Sequence, residues 1–447
     1  MDLNALTSVS PVDGRYRHRV TELSKYFSEY ALNKYRVLVE VEYFIALCET
    51  GIKGVEDFDR KHFPMLRDLA LNFGIPDAEA IKETEKTTNH DVKAIEYFLK
   101  KKFRDAGLGK WAEFIHFGLT SQDINNTAIP ISLRDFMDNV YKTQLFELRE
   151  MIASMADEWR EIPMLARTHG QPASPTRLGK ELEVFVSRLD EQTKYFNNIP
   201  FSAKFGGATG NFNAHAVAYP DIDWNAFGDY FVNDILGLHR SKPTTQIEHY
   251  DNLAALLDNI RRINTILIDL ARDIWLYVSM DYFRQRIKPG EVGSSAMPHK
   301  VNPIDFENAE GNLGYANALL AFLSSKLPVS RLQRDLTDST VLRNLGVPMA
   351  HTIIAFGSIQ RGLGKLIVNN DKIRRDLSEN WAVVAEALQT ILRREGYIDP
   401  YEALLKLTRT GETVTQEVIS DFINRLDVDE NVRMELKAVT PFNYTGI

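Results

Sequence analysis

The clearest hydrophobic pattern in the chain lies between Pro243 and Pro289, a stretch that contains no Gly or Pro. Leucine and isoleucine recur in it at steps of three and four residues, at positions 253, 256, 257, 260, 263, 267, 270 and 274. This spacing places the apolar side chains on one face of an α-helix. One unbroken helix over the stretch would be roughly 60 Å long at about 1.5 Å per residue.

A second stretch without Gly or Pro, between Pro130 and Pro163, repeats this pattern, and further helical segments follow Pro175, Pro303 and Pro348. Alternation typical of β-strands is weak throughout. Helices this long exceed the globular average of about 11–12 residues. Proteins use them in bundles whose apolar faces are often buried against other subunits. We therefore predict an all-α fold with a central long-helix bundle, and an oligomer.

Segment lengths divide the chain into three predicted helical domains. Shorter helices occupy residues 1–110, the long-helix bundle occupies residues 111–365, and a charged C-terminal domain occupies residues 366–447. The sequence has no internal repeat and no linker rich in Ser or Gly.

Composition limits the class of protein further. The 447 residues are 44% hydrophobic and 26% charged, which is ordinary for a globular chain. The net charge of -8 argues against a general nucleic-acid binder but allows a local basic pocket. A single cysteine, Cys48, fits a reducing compartment, and we find neither a signal peptide nor an apolar run of membrane-spanning length. We expect a cytoplasmic protein without nucleic-acid or membrane partners.

Six polar segments interrupt the helical pattern, and function concentrates on such loops when a rigid scaffold holds them. They are SPVDGRY (10–16), KTTNHD (86–91), LTSQDINN (119–126), RTHGQPASPT (167–176), GGATGNFNAH (206–215) and GSSAMPHKVNP (293–303). The last combines two serines and a lysine between Gly and Pro, and we predict that it is a mobile catalytic loop.

These segments match no common metal, nucleotide or hydrolase motif. The ten histidines are scattered without an HExxH, and one cysteine cannot form a thiolate cage. The chain has no P-loop, no GxGxxG after a strand and no GxSxG elbow. We therefore expect a reaction without a metal or cofactor.

Judged one at a time, the polar residues of these loops allow both structural and catalytic roles. His169 and His90 are either loop histidines bonded to the backbone or general acids and bases, since histidine titrates near neutral pH. Ser294 and Ser295 fit a simple turn. A serine becomes a base only if its pKa is strongly lowered, for example by the positive field of Lys300. Lys300 itself equally fits a solvated surface charge.

The segment from Gly293 to Pro303 matches the signature GSSxMPxKxNP, and the chain thereby resembles the fumarase/aspartase superfamily. Four further motifs resemble its adenylosuccinate lyase family in the long, bacterial form: SPVDGRY, TTNHDVKA (87–94), FIHFGLTSQDINN (114–126) and RDLTDSTVLRN (334–344). The resemblance implies three all-α domains and a homotetramer. Four central domains would form a twenty-helix core, and loops from three subunits would build each active site.

The resemblance also implies an activity, the elimination of fumarate from adenylosuccinate (giving AMP) and from SAICAR (giving AICAR). It assigns Ser294 as the general base and His169 as the general acid, and it assigns no metal. Lys300 and Asn302 would hold the succinyl carboxylates and the intermediate, and Gln246 would bind the succinyl group. The other substrate-binding residues that it implies are Arg15, Tyr16, Asn89, His90, Asp91, Thr120, Ser121, Ser295, Asn308, Arg334, Ser339, Thr340 and Arg343. Of these, Arg15, Tyr16, Arg334, Ser339 and Arg343 would form the ribose-phosphate pocket.

Two other histidines are interpreted as structural. His215 ends the GGATGNFNAH segment and is expected to be a structural loop histidine. His116 is flanked by Phe114, Ile115 and Phe117 and is expected to pack in the core.

Three alternatives compete with this interpretation. Another superfamily lyase, acting on argininosuccinate, malate or aspartate, needs no phosphate pocket, whereas DGRY and RDLTDSTVLR supply arginines for one. A non-catalytic relative, like the lens crystallins recruited from this superfamily, is expected to lose the acid, the base or the lysine. His169, Ser294 and Lys300 are all present. A generic helical scaffold leaves the polar motifs unexplained.

Overall fold

The computed structural model describes residues 4–286, 297, 300–408 and 413–447. Within these residues helices dominate and strands are two or three residues long, which confirms the predicted all-α class. The α-helices are α1 (Arg17–Val20), α2 (Ser24–Phe27), α3 (Glu29–Thr50), α4 (Phe63–Leu71), α5 (Ile75–Thr88), α6 (Asp91–Asp105), α7 (Ser121–Phe136), α8 (Lys142–Glu158), α9 (Leu178–Asn197), α10 (Asn213–Ala218), α11 (Trp224–Asp229), α12 (Asp251–Ser279), α13 (Ile304–Lys326), α14 (Thr337–Leu342), α15 (Gly346–Leu363), α16 (Asn370–Ser378), α17 (Ala385–Arg394), α18 (Pro400–Thr408), α19 (Gln416–Asn424) and α20 (Glu430–Ala438).

Short β-strands, 3-10 helices and π-helical turns connect these helices. The strands are β1 (Pro163–Met164), β2 (Arg167–Thr168), β3 (Gln171–Pro172), β4 (Thr176–Arg177), β5 (Ser202–Ala203), β6 (His239–Arg240), β7 (Phe283–Gln285) and β8 (Leu366–Val368). The pairs β1–β4, β2–β3 and β7–β8 are antiparallel, and β5–β6 is parallel. Short 3-10 helices span Thr21–Leu23, Arg60–His62, Gly109–Phe114 and Trp381–Val384, and π-helical turns span Met137–Tyr141 and Tyr230–Ile235.

Helix α12 carries the apolar stripe that the sequence predicts. Seven of its predicted positions, from 256 to 274, are at most 2% exposed. The helix has 29 residues and is about 44 Å long, so the expectation of one helix of roughly 60 Å is wrong. Tyr250 and Asp281 take left-handed backbone conformations, with φ of +62° and +59°, and these stop helical propagation on either side of α12.

The helix predicted after Pro130 begins earlier than expected. Helical conformation runs from Ser121 through α7, the π turn and α8 to Glu158, with Pro130 inside α7. A proline inside a helix removes one backbone hydrogen bond and usually breaks or kinks it. Most of α7 is buried, and this packing offsets the loss.

The chain divides into two compact units. Unit 1 comprises Met1–Leu145, Gln192–Thr265 and Gly311–Phe356, and unit 2 comprises Phe146–Glu191, Ile266–Glu310 and Gly357–Ile447. The core of unit 1 is rich in aromatic contacts, in which the ring of Phe44 lies edge-on to Phe58 and Phe103. Unit 2 contains a separate apolar cluster formed by residues 381–436. None of the described helices is both long and apolar enough to cross a membrane.

Candidate active site

The predicted site residues are divided between the two units. Unit 1 holds Arg15, Tyr16, Asn89, His90, Asp91, Thr120, Ser121, Gln246, Arg334, Ser339, Thr340 and Arg343. Unit 2 holds His169, Lys300, Asn302 and Asn308. Ser294 and Ser295 lie outside the described residues.

Asp91 is the centre of an arginine pair in unit 1. Its Oδ2 accepts hydrogen bonds from Arg36 Nη2 at 2.6 Å and from Arg343 Nη2 at 2.9 Å. Arg36 is 1% exposed, and its Nε donates to Asn125 Oδ1 at 2.9 Å. Burial alone would raise the pKa of the Asp91 carboxyl, but the charge and hydrogen bond of Arg36 hold it well below its usual value. Asp91 therefore stays ionised and orients the more exposed Arg343.

Arg334 is held by a second set of partners in unit 1. Its Nε donates to Asp338 Oδ1 at 3.3 Å, and its Nη2 donates to Ser339 Oγ at 2.7 Å. Gln122 Oε1 accepts from the same Nη2 at 2.6 Å in the amide orientation that satisfies both groups. The guanidinium is thereby held in one orientation, and its Nη1 group, 3.3 Å from the same Gln122 oxygen, can still donate to a phosphate oxygen.

Thr120 and Ser121 lie at the N-terminus of α7. The backbone N–H of Thr120 donates to Asp123 Oδ2 at 2.8 Å as part of a capping box. Asp123 is fully buried, and its Oδ1 accepts from Lys204 Nζ at 2.7 Å and from the backbone N–H of Gly206 at 2.8 Å. This carboxylate therefore ties the start of α7 to the 204–206 segment, and it fixes the backbone that carries Thr120 and Ser121.

His90 and Asn89 form the turn between α5 and α6. Asn89 ends α5 in a left-handed conformation with φ of +49°. His90 Nδ1 accepts from the backbone N–H of Lys93 at 3.1 Å, so in the neutral ring the proton is on Nε2. That Nε2 lies 3.4 Å from Ser121 Oγ. The structure thus brings together two predicted site residues from different motifs.

Arg343 lines two cavities of unit 1. One, of about 80 Å³, is also lined by Arg36, Gln122 and Ser339. The other, of about 240 Å³, is lined by residues of the SPVDGRY segment and of α1, among them Ser10, Val12, Asp13 and Arg17. Arg15 is exposed, and the ring of its neighbour Tyr16 lies 5.4 Å from the Arg19 guanidinium. The N-terminal motif is therefore beside the arginine pair.

Gln246 and Thr340 are placed differently. Gln246 is half-buried in the loop before α12, and within the described residues no hydrogen bond joins it to the arginines. Thr340 is exposed and lines a groove of about 200 Å³ with Tyr315 and Phe322. Its neighbour Ser339 faces Arg334, so these successive residues of α14 point to different sides.

His169 is at the tip of a two-residue hairpin in unit 2. Strands β2 and β3 pair with Thr168 opposite Gln171, and the φ angles of His169 and Gly170 are +53° and +75°. Positive φ at both central positions defines the type I′ turn, which matches the twist of a hairpin. The His169 imidazole is exposed, and no hydrogen bond to it is present in the described part of the chain. The turn thus holds a solvent-accessible histidine on a defined backbone.

The other described candidates of unit 2 lie at the start of α13. Lys300 is exposed, and its backbone N–H donates to the Met297 carbonyl at 3.0 Å. Asn302 is half-buried. Asn308 Oδ1 accepts from Ser358 Oγ at 2.8 Å, which fixes the orientation of its amide.

His215 is buried, as expected of a structural histidine, but it lies in helix α10 and not in a loop. It is fully buried against Phe212 and Trp224, and its Nε2 lies 2.9 Å from Tyr43 Oη. Burial lowers its pKa to about 4, so the ring is neutral near pH 7.

The expectation that His116 is a packed core residue needs correction. It is half-buried, and its Nδ1 lies 2.6 Å from Oε1 of the buried Glu40. Burial alone would lower the pKa of His116, but the negative charge of Glu40 raises it. His116 is therefore the hydrogen-bond partner of a buried carboxylate and does not pack only against apolar side chains. In the described residues no group of three or more His, Cys, Asp or Glu side chains is arranged to hold a metal ion.

Sequence reasoning missed the buried charged residues that hold these candidates in place. Arg36, Asp123, Lys204 and Asp338 are all at most 5% exposed. One available signal was a charge within an apolar helical run, as at Arg36 between Tyr35 and Val37. The partners themselves are far away in sequence and leave no local signal.

Comparison with known proteins gives consistent results along the whole chain. Residues 14–316 match a family described as lyase, and residues 330–445 match one described as adenylosuccinate lyase C-terminal. The chain is 57% identical over its full length, and over 98% of the relative, to the adenylosuccinate lyase of Dictyostelium discoideum. It is 48% identical, with the same coverage, to the adenylosuccinate lyase of Escherichia coli K12. A fumarate lyase from Mesorhizobium sp. BNC1 has the same fold, with a TM-score of 0.75 at 20% identity over 95% of each chain.

Proposed function

Because this chain belongs to the lyase family, and within it to the adenylosuccinate lyases, we propose that it eliminates fumarate from adenylosuccinate and from SAICAR. The products are AMP and AICAR. Both reactions break a C–N bond after a proton has left the neighbouring carbon. The enzyme is a carbon–nitrogen lyase, and its place is in purine biosynthesis.

The chemical difficulty is the weak acidity of that carbon-bound proton. Its removal next to a carboxylate leaves a carbanion-like dianion, which fixed positive charge and hydrogen-bond donors must stabilise. The departing nitrogen must also gain a proton, because an amide-like anion is a poor leaving group. The reaction thus needs a base, an acid and a cationic pocket.

In the proposed mechanism Ser294 removes the proton and His169 protonates the leaving nitrogen. Lys300 and Asn302 hold the succinyl carboxylates, with Ser295 and the hydroxyls of Thr120 and Ser121 as donors. Gln246 and Asn308 contact the succinyl end. The exposed imidazole of His169 on its type I′ turn supports the acid role, since an acid must reach the substrate.

Arg343 and Arg334 are the reason for proposing a substrate that contains a nucleotide. Arg343 is oriented by Asp91, and Arg334 is fixed by Asp338 and Ser339. Guanidinium groups match phosphate oxygens, and argininosuccinate, malate and aspartate have no phosphate. Arg15, Tyr16, Asn89 and His90 complete the proposed nucleotide-binding set. Thr340 lines a separate groove with Tyr315 and Phe322 and is not part of this set.

A direct assay tests this function. Purified protein is mixed with adenylosuccinate, and AMP formation is followed by ultraviolet absorbance. Conversion is expected at enzymatic rates, typically about 1–1,000 per second. No conversion, together with turnover of argininosuccinate, overturns the assignment in favour of the rival lyase.

We propose in addition that the protein is a homotetramer with shared active sites. Apolar residues surround α13 rather than following one face, and its Tyr315 and Phe322 are 54% and 53% exposed. Apolar residues on all sides are typical of a helix buried in a larger assembly. Four copies of the five longest helices within residues 111–365, which are α8, α9, α12, α13 and α15, would form the twenty-helix core. Sedimentation or light scattering tests the tetramer, and a monomer at micromolar concentration contradicts it.

Mixing two inactive variants tests the shared site. Ser294→Ala and His169→Ala lie in different motifs, so some hybrid tetramers carry an intact site contributed by different subunits. Some activity is expected to return after subunit exchange. No return, under exchange proven by mass spectrometry of tagged subunits, argues against sharing.

The three domains over residues 1–110, 111–365 and 366–447 remain part of the proposal, as does a cytoplasmic location. The proposed partners are the two small-molecule substrates and further copies of the chain.

A further inference from the structure

A buried hydrogen-bond chain in unit 1 joins the loop that carries Gln246 to Arg334. It starts at the backbone N–H of Glu248, which donates to Asn126 Oδ1 at 3.0 Å. Asn126 Nδ2 then donates to the Tyr250 hydroxyl at 2.8 Å. The Tyr250 hydroxyl donates to Asp338 Oδ2 at 3.1 Å, and Asp338 Oδ1 accepts from Arg334 Nε at 3.3 Å.

Tyr250 determines which groups donate and which accept in this series of hydrogen bonds. The Asn126 amide group that faces Tyr250 carries only donors, so the hydroxyl must accept there and its own proton is left for Asp338. Tyr250 is 4% exposed, and burial raises its pKa well above the usual value, so the hydroxyl keeps its proton.

Asp338 depends on this hydroxyl for its geometry. The residue is 5% exposed, and a buried carboxylate is stable only when its oxygens are well paired. The Tyr250 hydroxyl donates to one carboxylate oxygen of Asp338, and the other oxygen of Asp338 faces Arg334. The orientation of the carboxylate in turn sets the plane of the guanidinium, whose Nη2 binds Ser339 and Gln122.

We propose that Tyr250 is a positioning residue for the nucleotide end of the site: its hydroxyl orients Asp338 and, through it, Arg334. This inference rests on the proposed function, in which Arg334 binds the substrate's ribose-phosphate. Tyr250 also connects that arginine to the segment carrying Gln246, so the succinyl and phosphate ends share one rigid support.

The test is Tyr250→Phe, which deletes one oxygen and keeps the ring. With Arg334 less well oriented, KM for adenylosuccinate and Kd for AMP are expected to rise by about tenfold, as for loss of a hydrogen bond to a charged group. The kcat value is expected to change by less than about twofold, because His169 and Ser294 are untouched. An unchanged KM and an unchanged Kd for AMP overturn the proposal.

Tyr141→Phe is the matched control. Tyr141 is also fully buried in unit 1, and within the described residues its hydroxyl has no hydrogen-bond partner. The same chemical change there is expected to leave both KM and kcat at the wild-type values. A similar KM increase in Tyr141→Phe would show that any buried tyrosine has this effect, which contradicts a positioning role.

A double-mutant cycle with Arg334→Ala separates positioning from general destabilisation. If Tyr250 acts through Arg334, Tyr250→Phe has no further effect on AMP binding once Arg334 is absent. If Tyr250→Phe weakens AMP binding tenfold both in the wild type and in Arg334→Ala, the proposal is overturned. If Tyr250→Phe does not fold, Asp338→Asn takes its place in the same cycle, with the same expectation. Wild-type protein that binds AMP but does not convert adenylosuccinate overturns the proposed function alone, and the AMP titrations still decide the role of Tyr250.

Discussion

The arginine pair of unit 1 and the His169 hairpin of unit 2 differ in how their side chains are held. Arg36 and Arg343 share the ionised Asp91 carboxylate, and Arg36 is almost completely buried. His169 is exposed, and its position depends on the backbone of a two-residue turn. The first region is built from side-chain contacts and the second from backbone geometry.

This difference suits two separate tasks. A pocket that binds an anion benefits from charges oriented in advance, because no reorganisation is then needed when the ligand arrives. A proton donor must instead be free to contact the substrate, and its position is best set through the main chain. Substitutions should therefore act mainly on stability and KM in unit 1 and on kcat in the hairpin.

The largest effect is expected from His169→Ala. Loss of the acid should lower kcat by about 10²- to 10⁴-fold, while the melting temperature stays the same because the side chain is exposed. His239→Ala, at another exposed histidine, is the control and should leave kcat unchanged. Near-normal turnover of His169→Ala in steady-state kinetics contradicts the acid assignment.

Asp91→Asn is expected to act on stability as well as on binding. It leaves the buried Arg36 without its counter-charge, and breaking such a pair costs about 3–5 kcal/mol of the free energy of unfolding. Asp157→Asn removes a carboxylate from an exposed ion pair and should cost less than about 1 kcal/mol. Urea titration of both variants measures the difference, and equal losses would refute the special role of Asp91.

The pH dependence of the free energy of unfolding tests the contribution of the same Asp91 carboxylate. The pKa of Asp91 is lower in the folded state than its unfolded value of about 3.9, so its contribution is fully present above about pH 5. The contribution is lost as pH falls through the unfolded pKa towards the lower folded pKa. Asp91→Asn should therefore lose less free energy of unfolding than the wild type between pH 5 and pH 3, as measured by urea titration. Parallel curves contradict this linkage.

The smallest effect is expected from Gly170→Ala in the hairpin. At φ of +75° an added Cβ costs about 1–2 kcal/mol, although no atom of the described residues lies within 4 Å of it, apart from those of Gly170 and its two chain neighbours. Gly107 has the same φ and equally open surroundings, so Gly107→Ala should cost the same stability. Only Gly170→Ala should lower kcat, because it shifts the turn that holds His169. Equal kcat values in the two variants contradict positioning by the turn.

Much of the fold was predictable from local patterns. The apolar stripe of α12 follows from the period of the helix, and the weak alternation in the sequence agrees with strands of only two or three residues, although no strand was predicted. The ends of the helices were harder to predict from the sequence. Tyr250 stops α12 through a left-handed backbone conformation that a tyrosine rarely adopts, and Pro130 lies inside a helix that its sequence suggested it would bound.

The candidate site also divides into features that the local sequence predicts and features that it does not. Short polar segments between long helices, visible in the sequence itself, pointed to His90, Asp91 and His169 as candidates, whereas Arg334 and Arg343 were named only through the resemblance of RDLTDSTVLRN to a family motif. The contacts of Asp91 join residues 55 and 252 positions apart, and that of Tyr250 spans 88 positions. No periodic or local signal connects such residues. The sequence alone therefore determined the helical class and the candidate loops, whereas the tertiary structure decided which buried charges and hydroxyls orient the described candidates, since a hydrogen bond depends on distance in space and not along the chain.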